Sequence, residues 1–558
     1  MRSFLALASS FSRTARLTAV AASAIGLSFA VSHCSSDGGS GFTDPDASIF
    51  GGDGSIIPPL GGDGSVDAKR PVDKCKVAPD EDNGGGLECT KSSPPNSFKP
   101  VLKWSWTAPV LPSTTAGSMV LPLVANLTDD NADGKVDLCD VPDVLVTVGG
   151  GGIGAAGKIY MLAGNDGKME IEFQGNIDAS VTPALGDLDG DGVPEIVTND
   201  VAGHVIAYDN KGKVKWTGTD VGFHKTQMNS YCHAMAIYDL DADGSPEIIS
   251  AFEVYDNTGK RKFFHDVSSF QGQYWCPANT AADLDGDGKL EVIFGNAAYR
   301  SDGTKLWQIP GPPGQPQIAN LDADPDPEIF VARQDGILVL EHTGAIKFGP
   351  LNLLGESTSP NCWSKPGAVH DFDGDGIADL SASTCTKYGV YKMGATGLTL
   401  NWQKAVNDTS GLASTTAFDF LGRGIAQAVY GDQASLFVFD GKTGDTNLQA
   451  ARSSGTLIEY PVVADVDNDQ SADIVVVSNA NFGTNYKNTV DVWQDAEKRW
   501  IPTRRIWNQH AYHVTNVRED GTIPKKMVPN WKKLNTFRTN AQIEGNGDCA
   551  PPPPNKPK

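Results

Sequence analysis

Residues 187–197 read DLDGDGVPEIV, an acidic loop of the form D-x-D-x-D-G-x-x-[DE] that runs directly into a short β-branched strand. Alternate carboxylates in a tight turn bring several oxygen atoms to one point, and Ca²⁺ prefers such all-oxygen cages. The glycine at position 6 permits the sharp turn. The final acid falls at position 9, whereas an EF-hand loop places it at position 12 before a helix. The stretch therefore predicts a calcium loop coupled to a β-strand.

Seven copies of this loop occur along the chain. Pro325 replaces the glycine in the fifth copy and Gln470 replaces it in the last, while an eighth segment at Asp419 carries Arg423 at a ligand position. We therefore predict about six or seven Ca²⁺ ions and none at Asp419. The predicted ligands are Asp129, Asn131, Asp133, Asp137, Asp187, Asp189, Asp191, Glu195, Asp239, Asp241, Asp243, Glu247, Asp283, Asp285, Asp287, Glu291, Asn320, Asp322, Asp324, Glu328, Asp371, Asp373, Asp375, Asp379, Asp465, Asp467, Asp469 and Asp473.

The loops recur at intervals of 37 to 58 residues, which is the length of four short strands with their turns. Such a period is typical of β-propeller blades. Counting the Asp419 segment favours eight blades, and seven are possible if one unit is irregular. Val101–Thr107, with Trp104 and Trp106, is a strand without its own loop. We expect an all-β propeller in which this strand completes the last blade and covers its edge.

The loops and the strands after them resemble the FG-GAP/VCBS repeats of integrin-α-like propellers. The resemblance extends from Asn126 to about Asp495, although the literal FG and GAP letters are mostly absent. It implies calcium on the blade loops and, in bacteria, a surface or secreted protein with a binding role.

The N-terminus has the features of a bacterial export signal. Arg2, Arg13 and Arg16 precede an apolar stretch from residue 17 to 31, and Cys34 follows in a lipobox-like context. We predict a signal peptide over residues 1–33 and lipidation of Cys34. Ordinary cleavage, with Cys34 free or paired, is the alternative. The protein would then be an outer-membrane or cell-surface lipoprotein, or secreted, with membrane contact only through the lipid.

Composition divides the remaining chain. Residues 34–73 are a Gly/Asp/Ser-rich flexible spacer, 74–99 a small cysteine-containing segment, 100–498 the propeller, 499–545 a C-terminal cap and 546–558 a proline-rich tail. Eight further cysteines in an exported chain suggest disulfides. Proximity favours Cys75–Cys89, Cys362–Cys385 and Cys232–Cys276 among 105 possible pairings.

The predicted cap is rich in Trp, His and Arg. Arg504, His510 and His513 could bind an acidic sugar or a metal. The interpretation that we favour is packing of the cap onto the last blade, with its arginines paired to the acidic body.

The formal charge of −23 argues against a nucleic-acid partner. Motifs for a nucleophilic serine, a zinc protease or a P-loop are absent from the sequence. We therefore expect a non-enzymatic module that binds a protein or a glycan. A carbohydrate lyase or hydrolase using Tyr231, His233, His370 and His510 is one alternative, with a quinoprotein dehydrogenase as a weaker variant. A purely structural surface lipoprotein is the other.

Overall fold

The computed structural model describes residues 74–77, 87–109, 117–149, 154–222, 232–270, 276–355, 362–363, 365–394, 396–409, 412–480, 486–544 and 547–550. These residues lie in the compact unit Lys69–Lys558. The predicted signal peptide, the lipidation site Cys34, the spacer and residues 551–558 of the tail are outside the described residues. Across the described ranges, no helix is long and apolar enough to cross a membrane.

Eight antiparallel four-stranded sheets form the blades of a β-propeller, so the predicted fold and the favoured blade number are confirmed. Blades 1 to 4 contain, in chain order, Leu123–Ala125, Asp143–Gly149, Ala156–Ala163 and Met169–Glu172; Ala184–Gly186, Glu195–Asn199, His204–Tyr208 and Val214–Val221; His233–Tyr238, Glu247–Ser250, Glu253–Tyr255 and Arg261–Phe264; and Thr280–Ala282, Glu291–Ile293, Ala297–Tyr299 and Lys305–Gln308.

Blades 5 to 8 contain Gln315–Ala319, Glu328–Arg333, Gly336–Glu341 and Ile346–Leu351; Lys365–His370, Asp379–Ser383, Lys387–Gly394 and Gly397–Ala405; Thr415–Phe418, Gln427–Gly431, Ser435–Phe439 and Thr446–Ala451; and Val462–Ala464, Asp473–Val477, Val490–Asp495 and Pro100–Trp106. Short strands Ile177–Asp178 and Val181–Thr182 extend blades 1 and 3. Within the described ranges, the helical elements are a 3₁₀ turn, Ser268–Phe270, and one α-helical turn, Asn530–Lys533.

The first strand of each blade lies innermost, where it meets the first strands of its neighbours. The first and second strands are buried along their whole length, because sheets pack against both of their faces. The fourth strands are outermost and alternate between half-buried and exposed side chains, as in Arg261–Phe264.

The N-terminal strand closes the ring as predicted. Pro100–Trp106 pairs antiparallel with Val490–Asp495 and becomes the outermost strand of blade 8. The two ends of the repeat region are thereby joined in one sheet. The edge of Val490–Asp495, which would otherwise be open, is covered by the N-terminal strand.

The C-terminal segment corrects the sequence-based interpretation. Residues 499–544, here called the plug, contact the innermost strands of all eight blades rather than the last blade alone. Trp507 exchanges backbone hydrogen bonds with Val124 of blade 1, and Phe537 does so with Val369 of blade 6. Further contacts to the other six blades come from Asn508, Gln509, Trp531, Asn530, Arg538 and Asn540. The plug therefore supplies partners for backbone groups that the innermost edges would otherwise leave unpaired.

Four disulfides are formed. Cys232–Cys276 and Cys362–Cys385 agree with the sequence-based prediction. The predicted Cys75–Cys89 bond is wrong, because Cys75 joins Cys139 and Cys89 joins Cys549. Leu87–Glu88 lies parallel to Gly547–Ala550, which also pairs with Gln542–Glu544, so the two ends of the described chain share one small sheet. The start of the predicted tail is thus a strand.

Candidate metal-binding loops

Each acidic loop connects the first strand of a blade to its second. Because every blade has the same strand order, all of these loops lie on one face of the ring. The plug lies against this face: Gly521 accepts a hydrogen bond from the backbone of Asp187, and Lys525 donates to the carbonyl of Asp243 at 3.0 Å.

The loop geometry follows from positions 1 and 6. In blade 3, Asp239 accepts the backbone N–H of Asp243 at 3.1 Å and that of Gly244 at 2.7 Å. Gly244 has φ +96°, a conformation that favours glycine. Gln470 takes the same place in blade 8 with φ +67° and still donates to Asp465. The departure from glycine at that copy is therefore tolerated.

The acid at position 9 is the first residue of the second strand. Glu195, Glu247 and Glu291 are buried, and one oxygen of each accepts the backbone N–H of position 2 at 2.8–2.9 Å. This bond fixes the carboxylate beneath the turn. Carboxylate oxygens of Asp187, Asp189 and Glu195 lie within 4.8 Å of one another. The blade 4 set uses the same three positions, whereas the blade 3 set is Asp239, Asp241 and Asp243, at positions 1, 3 and 5. These clusters are able to hold a metal ion.

The donor chemistry and the charge fit a hard cation best in blades 4 and 6. Burial, with the charges of Asp285 and Asp287, raises the pKa of Glu291 to about 7. Burial and the charge of Asp373 raise the pKa of Asp379 to about 8. The negative charge of each carboxylate is poorly balanced by neighbouring groups, and a bound cation would stabilise the charged form.

Blade 1 differs from the expected loop. Asp129 accepts the backbone N–H groups of Asp133 and Gly134, as position 1 should. Asp137 does not begin a strand, however. Asp143 begins the second strand and accepts the N–H of Leu127 at 2.9 Å, so it takes the structural place of Glu195. The residues between them form an insertion that is held by Cys75–Cys139.

Two other copies depart from the common turn. In blade 5, where Pro325 replaces glycine, the side-chain amide of Asn320 donates to the carbonyl of Asp324 instead of Asn320 accepting from position 6. In blade 7, Asp419 is fully buried and accepts four backbone N–H groups, while the Arg423 guanidinium turns away to the carbonyl of Pro94 at 3.0 Å. The absence of calcium at Asp419 stays a prediction.

The histidines considered for catalysis do not assemble. His233 begins the first strand of blade 3 and bonds to Asn199, whereas His370 ends the first strand of blade 6. His510 lies buried in the plug, where its Nε2 is 3.0 Å from the carbonyl oxygen of Ile458. Tyr231 lies outside the described residues.

The contacts of the plug histidines and arginines agree with the packing role that we favoured. Burial lowers the pKa of His513 to about 3, so it is neutral. Arg505 binds Glu519 within the plug through two nitrogen atoms at 2.8 and 3.0 Å, and it also donates to the side-chain oxygen of Asn468 in the blade 8 loop at 3.2 Å. Arg504 lies 3.6 Å from Asp548.

Sequence reasoning missed a joint between blades. An outer-strand aromatic of one blade lies under a glycine in the hairpin of the next, as Trp216 does under Gly259, Phe263 under Gly303 and Trp307 under Gly344. A Cβ at Gly344 would come within 2.6 Å of the Trp307 ring. The recurring signal, in blades 2 to 4, is an aromatic residue in the fourth strand and a glycine about 40 residues later.

Known proteins support the fold. The FG-GAP-like repeat family matches residues 187–250 and 239–294, which cover blades 2 and 3 and the start of blade 4. The *V. cholerae* biofilm matrix protein Bap1 is similar in structure, with a TM-score of 0.67 and 23% identity over 81% of this chain and 100% of that chain. Rhamnogalacturonan lyase YesW has a TM-score of 0.51 and 15% identity over 81% and 84%. No curated protein sequence matches the chain significantly.

These likenesses are at identities that define the fold alone. The chain is an eight-bladed β-propeller protein that carries FG-GAP-like repeats.

Proposed function

We propose that this protein is an exported binding module, stabilised by calcium, whose propeller presents a surface to a protein or glycan partner. The observation that carries the proposal is the plug, which occupies the centre of the ring with buried Trp507, Tyr512, Phe537 and Arg538. Propellers that process small substrates use a central channel or a pocket at its mouth. Here the centre is taken up by the chain's own residues, and the outer faces are left for binding.

Export is supported by the four disulfides, since such bonds persist in oxidising compartments. A lipid on Cys34 would tether the module to a membrane. Calcium is supported by the position-9 carboxylates of blades 4 and 6, Glu291 and Asp379, which are buried and form no ion pair among the described residues, although Arg300 and Lys392 lie on neighbouring loop carboxylates. In those blades Asp283, Asp285, Asp287 and Glu291, and Asp371, Asp373, Asp375 and Asp379, would hold the ion and pin the first strand to the second.

The test is a binding survey with the mature full-length protein, in Ca²⁺ and in EGTA. Purified protein would be applied to a glycan array and to immobilised surface extracts, and uronate-containing polysaccharides would be followed for chain cleavage. Specific retention without cleavage is expected. Cleavage that is lost on replacing His233 and Tyr231 would favour the enzyme instead.

A further inference from the structure

A β-bulge occurs in the outermost strand of every blade, always at the same place. In blade 2, Ala207 pairs with Trp216 and Tyr208 with Val214, so Lys215 is the extra residue. A bulge redirects the side chain that it inserts. The extra residues of blades 1 to 8 are Glu170, Lys215, Lys262, Leu306, Lys347, Asn401, Asn447 and Lys103.

In four blades this residue is a lysine, and in each it reaches the same two loop positions. Lys215 Nζ lies 2.5 Å from Asp189 and 2.6 Å from Glu195, at positions 3 and 9 of the loop. Lys262 makes the same pair of contacts in blade 3, at 3.3 Å and 2.6 Å. Lys347 and Lys103 do so in blades 5 and 8. Four independent repeats thus converge on one arrangement.

The lysines are held in place by their neighbours in sequence. The residue after each is an aromatic, and Trp216, Phe263 and Trp104 lie under hairpin glycines of the next blade. The backbone at the bulge is therefore fixed by the joint between blades. Only 8% of the Lys103 side chain and 17% of the Lys347 side chain are exposed.

An ammonium group at this point competes directly with a calcium ion. Calcium takes oxygen ligands at about 2.3–2.6 Å, and the lysine nitrogen is already that close to oxygens of positions 3 and 9. The second oxygen of Glu195 accepts the N–H of Leu188 at 2.9 Å, so both oxygens of this residue already have a partner. A cation a few ångströms from the ammonium would also be repelled.

The remaining loops lack this lysine. Blade 4 has Leu306 at the bulge, and its only basic contact to the loop among the described residues is the half-exposed Arg300 on Asp285. In blade 6 the bulge residue is Asn401, and Lys392 comes from the third strand to Asp373 and Asp375, at positions 3 and 5. Unlike the bulge lysines, it leaves the position-9 acid, Asp379, without an ion pair among the described residues. Blade 1 has Glu170, which adds an acid rather than a base.

We propose that the bulge lysines Lys215, Lys262, Lys347 and Lys103 are the resident cations of blades 2, 3, 5 and 8, and that these four loops bind no calcium. Calcium binding then falls to blades 1, 4 and 6, which leaves at most three of the seven loops. For blades 1, 4 and 6 this inference rests on the proposed function, which includes calcium. For the other four blades it rests on the contacts of the bulge lysines with positions 3 and 9 of the loops. It reduces the six or seven ions expected from the motif.

The test is calcium stoichiometry in the full-length mature protein, measured by elemental analysis after gel filtration and by calorimetric titration of EGTA-stripped protein. Wild type should bind no more than three ions per chain. The Lys262→Met substitution removes the ammonium group from a loop that has all four acids. This variant should bind one calcium ion more than wild type. Lys260→Met changes the same charge at an exposed position of the same blade and should leave the count unchanged.

The reverse variant is Leu306→Lys, which places a lysine at the blade 4 bulge and should remove one ion. More than three ions in wild type, or an unchanged count in Lys262→Met, would overturn the inference. Where wild type binds calcium, an unchanged count in Leu306→Lys would overturn it as well. If wild type binds none, the calcium part of the proposed function fails, and the Lys262→Met variant decides alone. In that case, one bound ion in Lys262→Met supports the lysine assignment, and the absence of a bound ion in this variant overturns it.

Discussion

Trp104 donates its indole Nε1–H to the carbonyl oxygen of Gly164 at 2.7 Å. Trp104 belongs to the N-terminal strand of blade 8 and Gly164 follows the third strand of blade 1, so this bond spans the closure of the ring. Trp402 makes the same bond to Gly441 at 2.5 Å between blades 6 and 7. The closure therefore uses the ordinary joint between blades rather than a special one.

Trp104→Ala should destabilise the whole propeller. It removes a buried indole that packs under Gly167 and leaves the Gly164 carbonyl without its donor. Large-to-small changes of this kind cost about 3–5 kcal/mol. Denaturant unfolding would measure the loss, with Val101→Ala on the same strand, where the side chain is exposed, as a control within about 0.5 kcal/mol. Equal effects of the two variants would contradict the role of the joint.

The two ends of the described chain are also joined covalently, which predicts unequal disulfides. Cys89–Cys549 spans 460 residues and Cys362–Cys385 spans 23. If the bonds act by restricting the unfolded chain, loss of the first should cost about 2.7 kcal/mol more than loss of the second. Paired Cys→Ser variants, compared by unfolding under the same conditions, would check this. A larger loss for the short loop would indicate that native contacts, not chain entropy, dominate.

Much of the fold could be predicted because its cause is local. The acidic loop and the strand after it recur within each unit, so their spacing gave the four-stranded blade and favoured eight units. Trp104 and Trp106 marked a strand without a loop, and pairing with Val490–Asp495 followed from the need to cover an edge. These features depend on residues close together in the chain.

What could not be predicted depends on residues far apart. Cys89 is 14 residues from Cys75 but bonds to Cys549, because the ends of the chain meet only after the ring has closed. We interpreted the plug as a cap because the sequence of Arg505–His513 does not indicate that the innermost strands of eight blades contact it. Lys215 looked like an ordinary strand residue, since only the bulge turns it toward Asp189.

Acid should destabilise the protein through His265. This imidazole is buried between Tyr299, 2.9 Å from Nδ1, and Asn296, 3.0 Å from Nε2. Burial lowers its pKa to about 4 from 6.5. Because the folded state holds it neutral, its stabilising contribution is complete above pH 6.5 and is lost as the pH falls toward 4. The contribution is on the order of 3 kcal/mol.

Thermal unfolding at several pH values, with His265→Gln for comparison, would measure this. The variant should be less stable near neutral pH and should show a shallower fall between pH 6.5 and 4. Parallel curves for the two proteins would assign the acid sensitivity to other groups, among them His513.

Removal of calcium should lower the melting temperature, since an ion bound only by the folded protein stabilises it by mass action. Within blade 4, Glu291→Gln replaces the position-9 acid and should reduce the difference in melting temperature between Ca²⁺ and EGTA. Asp419→Asn alters the equivalent turn of blade 7, where Arg423 and Gln427 make calcium binding unfavourable, and should leave that difference unchanged. Calorimetric scans of the three proteins in each condition give the comparison. If EGTA does not change the melting temperature of wild type, calcium does not stabilise the protein. If Asp419→Asn loses the difference in melting temperature, the stabilising ion binds in blade 7, where the contacts least favour it.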